Sequence, residues 1–87
     1  MPTSVTADRR RAREHLGRCL ALARAYARLS QAEVAQQLGI RRSTVSLWET
    51  GEREPGAVDL LRLAESCGVG LDALCGRAGL PVLREPV

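Results

Sequence analysis

Apolar residues recur along the chain at helical spacings, and glycines interrupt them at short intervals. From Asp8 onward, Leu16, Leu20, Ala23 and Ala27 fall three and four apart, with Arg13, Arg18, Arg24 and Arg28 mostly between them. That is one buried stripe and a charged outer face, and it predicts an amphipathic helix ending near Ala27, with Asp8 or Thr6 as its cap. The preceding MPTSVTA has no periodicity, so residues 1–8 are expected to be a loose tail. Ser30 and Glu33 form the S-x-x-E pattern in which two orphan amides are satisfied reciprocally. Val34, Ala35 and Leu38 follow on one stripe, and Gly39 supplies a left-handed stop. A third helix is predicted over Arg42 to Thr50, closed by Gly51. A fourth runs from Val58 to Cys67, entered after Pro55 and closed by Gly68, and a short fifth from about Leu71 to Cys75. The final GRAGLPVLREPV is a tail whose Leu80, Val82 and Leu83 are too apolar for a plain solvent linker.

Composition supports the same picture. Aromatics make up 2% of the chain and Phe is absent, so the core must be built from Leu, Val and Ala, residues suited to close helix packing. An all-α bundle is expected. Eighty-seven residues suffice for one small domain and leave no room for a second, ligand-sensing one. The domain is placed at 9–76, with 77–87 a C-terminal tail and candidate dimer contact.

Charge adds an asymmetry. Every basic residue is Arg; residues 1–53 hold ten of them against five acids, a balance of +5, whereas residues 54–87 hold three against five, a balance of −2. The front half is therefore better suited than the back to bind anions. Arginine suits bidentate contacts to phosphate and guanine, although GC-rich coding explains an all-Arg set equally well. Cys19, Cys67 and Cys75 are odd in number and lack CxxC spacing, which supports neither a disulfide framework nor a zinc site; buried free thiols are the expectation. His15 has no second ligand or nucleophile at useful spacing, and a surface role is expected. No paired carboxylates, glycine-rich phosphate loop or Ser/His/Asp grouping emerges, so neither an enzyme nor a cofactor or metal protein is indicated. With no membrane-spanning run and no signal peptide, the chain reads as cytoplasmic.

The connection between the second and third helices is about three residues around Gly39, the length of a helix-turn-helix corner. At about 100° per residue, Thr44, Val45 and Trp48 centre on one side of the third helix, and Arg42, Ser43, Ser46, Leu47 and Thr50 roughly opposite. Trp48 is expected to anchor the core, while the opposite face, with a forked donor and several hydroxyls, suits the reading of base edges in a major groove.

Across LSQAEVAQQLGI, RSTVSLWETGER with Pro55, and LLRLAESCGVGLDALCG, roughly residues 16–76, the sequence resembles the Xre/Cro phage-repressor family of helix-turn-helix proteins. The resemblance implies a compact five-helix, lambda-repressor-like domain that binds double-stranded operator DNA, usually as a homodimer on an inverted repeat, in a bacterial or phage-encoded setting. Carried onto this chain, it implies base contacts from Arg42, Ser43, Ser46 and Leu47, and phosphate contacts from Gln31, Arg41, Thr44 and Arg53. It also implies an ion pair between Arg24 and Glu49 that ties the first helix to the third.

Three positions depart from the family pattern. Arg41 stands where Ser or Thr commonly caps the recognition helix, a bond worth about 1 kcal/mol. Arg28 replaces a glycine common at the end of the first helix, which implies either a left-handed arginine or a different helix exit. Leu47 occupies a usually polar reading position, where it would meet a thymine methyl. Arg9 to Arg13 form either a phosphate-tracking extension or the solvated face of the first helix. The functional expectation is a transcriptional regulator, most simply a repressor. The alternative is an antitoxin or adaptor on the same scaffold that grips a protein partner such as a cognate toxin.

Overall fold

The computed structural model describes residues 5–77, and within them the chain is five helices joined by short connections: α1 (Val5–Tyr26), α2 (Gln31–Leu38), α3 (Arg42–Thr50), α4 (Ala57–Cys67) and α5 (Leu71–Leu74). Helix α1 opens at Val5, three residues ahead of Asp8, so neither Thr6 nor Asp8 is its cap; Asp8 instead pairs with Arg11 one turn on. Residues 5–8 of the expected tail are therefore helical. Helix α4 opens one residue earlier than its apolar pattern, at Ala57 behind Gly56, and α5 closes at Leu74. The apolar tail residues Leu80, Val82 and Leu83 lie outside the described residues.

The predicted stripes form the core. Leu20 and Ala23 from α1, Val34, Ala35 and Leu38 from α2, Val45 and Trp48 from α3, Leu63, Ala64 and Cys67 from α4, and Ala73 and Leu74 from α5 are all buried. Helix α3 lies between α1 and α2, and α4 packs on α2 and carries α5 across to α1.

The corner between α2 and α3 has an identifiable cause. The Ser30 hydroxyl accepts from the Glu33 amide at 3.0 Å, and the Glu33 carboxylate accepts from the Ser30 amide at 2.9 Å, which fixes where α2 starts. Gly39, with φ 69°, ends it: its amide reaches Gln36 O, and Ile40 N reaches back to Ala35 O at 3.0 Å. This six-to-one closure needs a left-handed residue, which glycine adopts without steric cost. Ile40 then folds onto the core, so the chain turns sharply.

Helix α1 ends in the same way without a glycine. Arg28 takes φ 61° while Leu29 N reaches Arg24 O at 3.1 Å. Of the two alternatives left open by the sequence, the strained arginine is the one adopted.

Candidate nucleic-acid interface

Helix α3 is held from two sides. Trp48 and Val45 fill its inner face, 4% and 1% exposed. On its flank the Glu49 carboxylate takes a bidentate pair from Arg24, Nε to Oε2 at 2.6 Å and a terminal nitrogen to Oε1 at 3.0 Å. The remaining nitrogen of Arg24 donates to Leu29 O at 2.8 Å, so the same guanidinium also secures the exit of α1. These bonds to Glu49 are the first cause holding the Arg24 pKa above its ordinary value, against the opposing cost of burial. Nearby, burial pushes the Cys67 thiol up, keeping it neutral in the core.

The outer face is narrower than the helical projection implied. Arg41, Arg42, Ser43 and Thr50 are exposed, whereas Thr44, Ser46 and Leu47 are half-buried, because α3 is flanked by helices on both sides. Arg41 is extended and makes no side-chain cap, so the first turn of α3 begins with open amides.

The arginines are sorted by partner. Arg9 pairs with Glu54 at 3.0 Å, Arg10 faces Glu14 at 3.8 Å, Arg11 pairs with Asp8, and Arg13 Nε donates to Gly51 O at 3.0 Å. All four members of the Arg9–Arg13 run are thus engaged within the molecule, which favours the helix-face reading. Arg24 is bound to Glu49, and Arg62 donates to Gln37 O. Among the described residues, the guanidiniums of Arg41, Arg42 and Arg53, all exposed, take no intramolecular partner. Those of Arg18, Arg28 and Arg77 are likewise unpaired but lie off α3.

A short α2, a three-residue turn at 39–41 and an α3 with its polar face outward make the helix-turn-helix geometry. A family model described as a helix-turn-helix domain matches residues 15–80. The chain belongs to the helix-turn-helix family. A solved structure, the restriction-modification controller protein C.AhdI from Aeromonas hydrophila, superposes with a TM-score of 0.67 at 31% identity, covering 78% of this chain and 97% of that one. A transcriptional repressor of cryptic phage CTXphi, RstR of Vibrio cholerae serotype O1, is 33% identical over 48 residues, which are 55% of this chain and 43% of the repressor. The chain therefore spans less than half the length of that relative.

Within this helix-turn-helix unit, Gln31 is tied to the ion pair of α1 and α3. Its side-chain Nε2 donates to Glu49 Oε1 at 2.9 Å, so the amide group is part of the Arg24–Glu49 cluster. What α2 offers outward at its start is backbone: the amides of Gln31 and Ala32 have no partner among the described residues.

Two glycines set how closely α1 and α3 meet, one of them, Gly17, outside any motif. Gly17 sits in the middle of α1, where a Cβ would lie 2.5 Å from Glu49 O and 2.6 Å from Trp48 O; α1 and the last turn of α3 are in backbone contact there. Gly51, which closes α3 at φ 83°, is pressed on the Glu14 backbone and has its carbonyl held by Arg13. For Gly17 the signal available in the sequence was the helix-weakening cost of a mid-helix glycine, which marks close packing.

Proposed function

We propose that this helix-turn-helix protein is a sequence-specific DNA-binding transcriptional regulator, most simply a repressor that occupies an inverted-repeat operator as a homodimer. The observation that carries the reading is the sorting of the arginines: on α1, Arg9, Arg10, Arg11, Arg13 and Arg24 have partners within the fold and Arg18 has none, while Arg41, Arg42 and Arg53 stand together without partners at the two ends of α3. Keeping adjacent cations exposed at the entry of a helix is favourable when a polyanion supplies the partner.

In this reading Arg42 forks onto a guanine, Ser43 and Ser46 reach base edges, and the half-buried Leu47 meets a thymine methyl. Arg41, Thr44, Arg53 and the open amides of Gln31 and Ala32 position the phosphates. Gln31 contributes its main-chain amide and the second hydrogen of its side-chain amide, the first being donated to Glu49. The dimer is proposed to form through α5 and the C-terminal tail, with exposed Leu71 as an apolar contact; two α3 helices would then enter the groove about 34 Å apart. The named relatives, a phage repressor and a restriction-modification controller, favour a regulator over the antitoxin or adaptor alternative.

Selection of bound duplexes from a random pool tests this, with Arg42→Ala run alongside. The wild type is expected to yield a two-fold motif. Arg42→Ala is expected to lose preference at one base pair per half-site, a discrimination of about 1–3 kcal/mol, while keeping weak, salt-sensitive binding. Failure of the wild type to retain any duplex at low ionic strength would overturn the proposal.

A further inference from the structure

Away from α3, three reactive side chains gather where α1 passes the end of α5. His15 and Cys19 lie one turn apart on α1, and the Cys19 sulfur is 3.7 Å from His15 Nε2. The chain following α5 is seated on that sulfur: a Cβ at Gly76 would stand 2.6 Å from Cys19 Sγ and 3.2 Å from His15 Nε2. Gly76 also has φ 78°, so both space and backbone conformation call for a residue without a side chain. Cys75 immediately precedes it. Cys19 and Cys75 are both partly exposed free thiols, unlike Cys67, which is buried; the expectation that all three are buried thus holds for one.

We infer that Cys19 and Cys75 are an oxidisable dithiol, a modification site at which a peroxide closes a disulfide between α1 and the end of α5, with His15 as the proton acceptor for Cys19. In the first step His15 Nε2 takes the Cys19 proton and the thiolate attacks one peroxide oxygen. The O–O bond breaks, a sulfenic acid forms on Cys19, and the departing oxygen recovers the proton from His15 as water or alcohol. In the second step the Cys75 thiol attacks the sulfenic sulfur, and its proton leaves with the hydroxyl as water. Two thiols and one peroxide thus yield one disulfide, one water and one further water or alcohol. Burial first, then the neighbouring Cys19 and Asp72, push the Cys75 thiol up against the opposing pull of Arg77. Geometry sets the order: Cys19, with His15 Nε2 3.7 Å from its sulfur, takes the first step, and Cys75, next to the Gly76 backbone seated on that sulfur, takes the second.

The test is graded hydrogen peroxide treatment of the reduced full chain, followed by mass spectrometry without reductant. The expected product has lost about 2 Da, the two thiol hydrogens. After trypsin it should contain peptide 19–24 joined to peptide 63–77, with fragmentation placing the bond at Cys75. It should form at a rate independent of protein concentration and at least tenfold slower in denaturing urea. Cys67→Ser should retain the bond, Cys19→Ser and Cys75→Ser should abolish it, and His15→Gln should slow it several-fold at neutral pH without changing the product. In Cys75→Ser a dione probe should trap the sulfenic acid on Cys19, which keeps the test open if a disulfide-free variant melts early. A bond to Cys67, linkage only between chains, or equal rates in native buffer and urea would overturn the inference.

Discussion

Replacing Gly17 with alanine sets two effects of known size against each other. Alanine is the better helix former by about 1 kcal/mol at an interior position. Against this, its Cβ would stand 2.5 Å and 2.6 Å from the carbonyl oxygens of Glu49 and Trp48 and 2.8 Å from Glu49 C, where ordinary contact begins near 3.4 Å. All three obstructing atoms are backbone, so no side chain can rotate away. Relief requires α1 and α3 to separate by about 0.9 Å, loosening the contacts around Leu20, Ala23 and Trp48. Overpacking of this kind costs about 1–3 kcal/mol, and a rigid obstacle belongs at the upper end. The net expectation is about 2 kcal/mol of lost stability, or about 8–16 °C in melting temperature for a domain this small. Trp48 is the sole tryptophan and its own carbonyl is one of the obstructing atoms, so its fluorescence during urea titration reports both the stability and the local displacement. A Gly17→Ala protein as stable as the parent, or more so, would refute the close approach of the two helices.

Further expectations concern other contacts of α1, α2 and α3. Arg28→Gly should stabilise the domain by about 0.5–1 kcal/mol, because removing about 1–2 kcal/mol of left-handed strain outweighs the added chain entropy of glycine; an unchanged denaturation midpoint would refute that strain. Glu49→Ala leaves the Arg24 guanidinium with Leu29 O alone and should cost toward the lower end of about 3–5 kcal/mol, since Arg24 is 21% exposed. A double-mutant cycle with Arg24→Ala measures the coupling, and additive losses would contradict it. The Glu33 carboxyl is held below its ordinary value by the Ser30 amide first and the Ser30 hydroxyl second. A depressed folded value means that its contribution is present above the ordinary carboxylate range and lost as the pH falls through the depressed value. Glu33→Gln should therefore flatten that acid limb of the stability–pH profile, and an unaltered limb would count against the capping box.

How much of this was legible in the sequence depends on the range of the interaction. The three- and four-residue spacing from Leu16 to Ala27, the Ser30–Glu33 box and the stops at Gly39, Gly51 and Gly68 are local, and the helices follow them within a residue or two except at the start of α1. There the apolar stripe is weakest, and the chain can add helical turns without burying anything. Trp48 was assigned inward by its angular place beside Val45, a matter of helix geometry alone. The Arg24–Glu49 geometry was implied only by family resemblance, since nothing local links positions twenty-five residues apart. What escaped was the set of contacts that depend on how helices meet: the seating of Gly17 on the carbonyls of α3, the diversion of Gln31 to Glu49, and the internal pairing of Arg9, Arg10, Arg11 and Arg13. Long polar side chains choose among several partners, and only the assembled packing decides between them.

The uncapped entry to α3 places two selective pressures in opposition at one position. A hydroxyl at residue 41 would lend the isolated domain about 1 kcal/mol, so lineages drifting under the demand for durability alone should acquire serine or threonine there. Persistence of a guanidinium would then be the imprint of what docks on the protein, and position 41 becomes a gauge of which demand has governed its history.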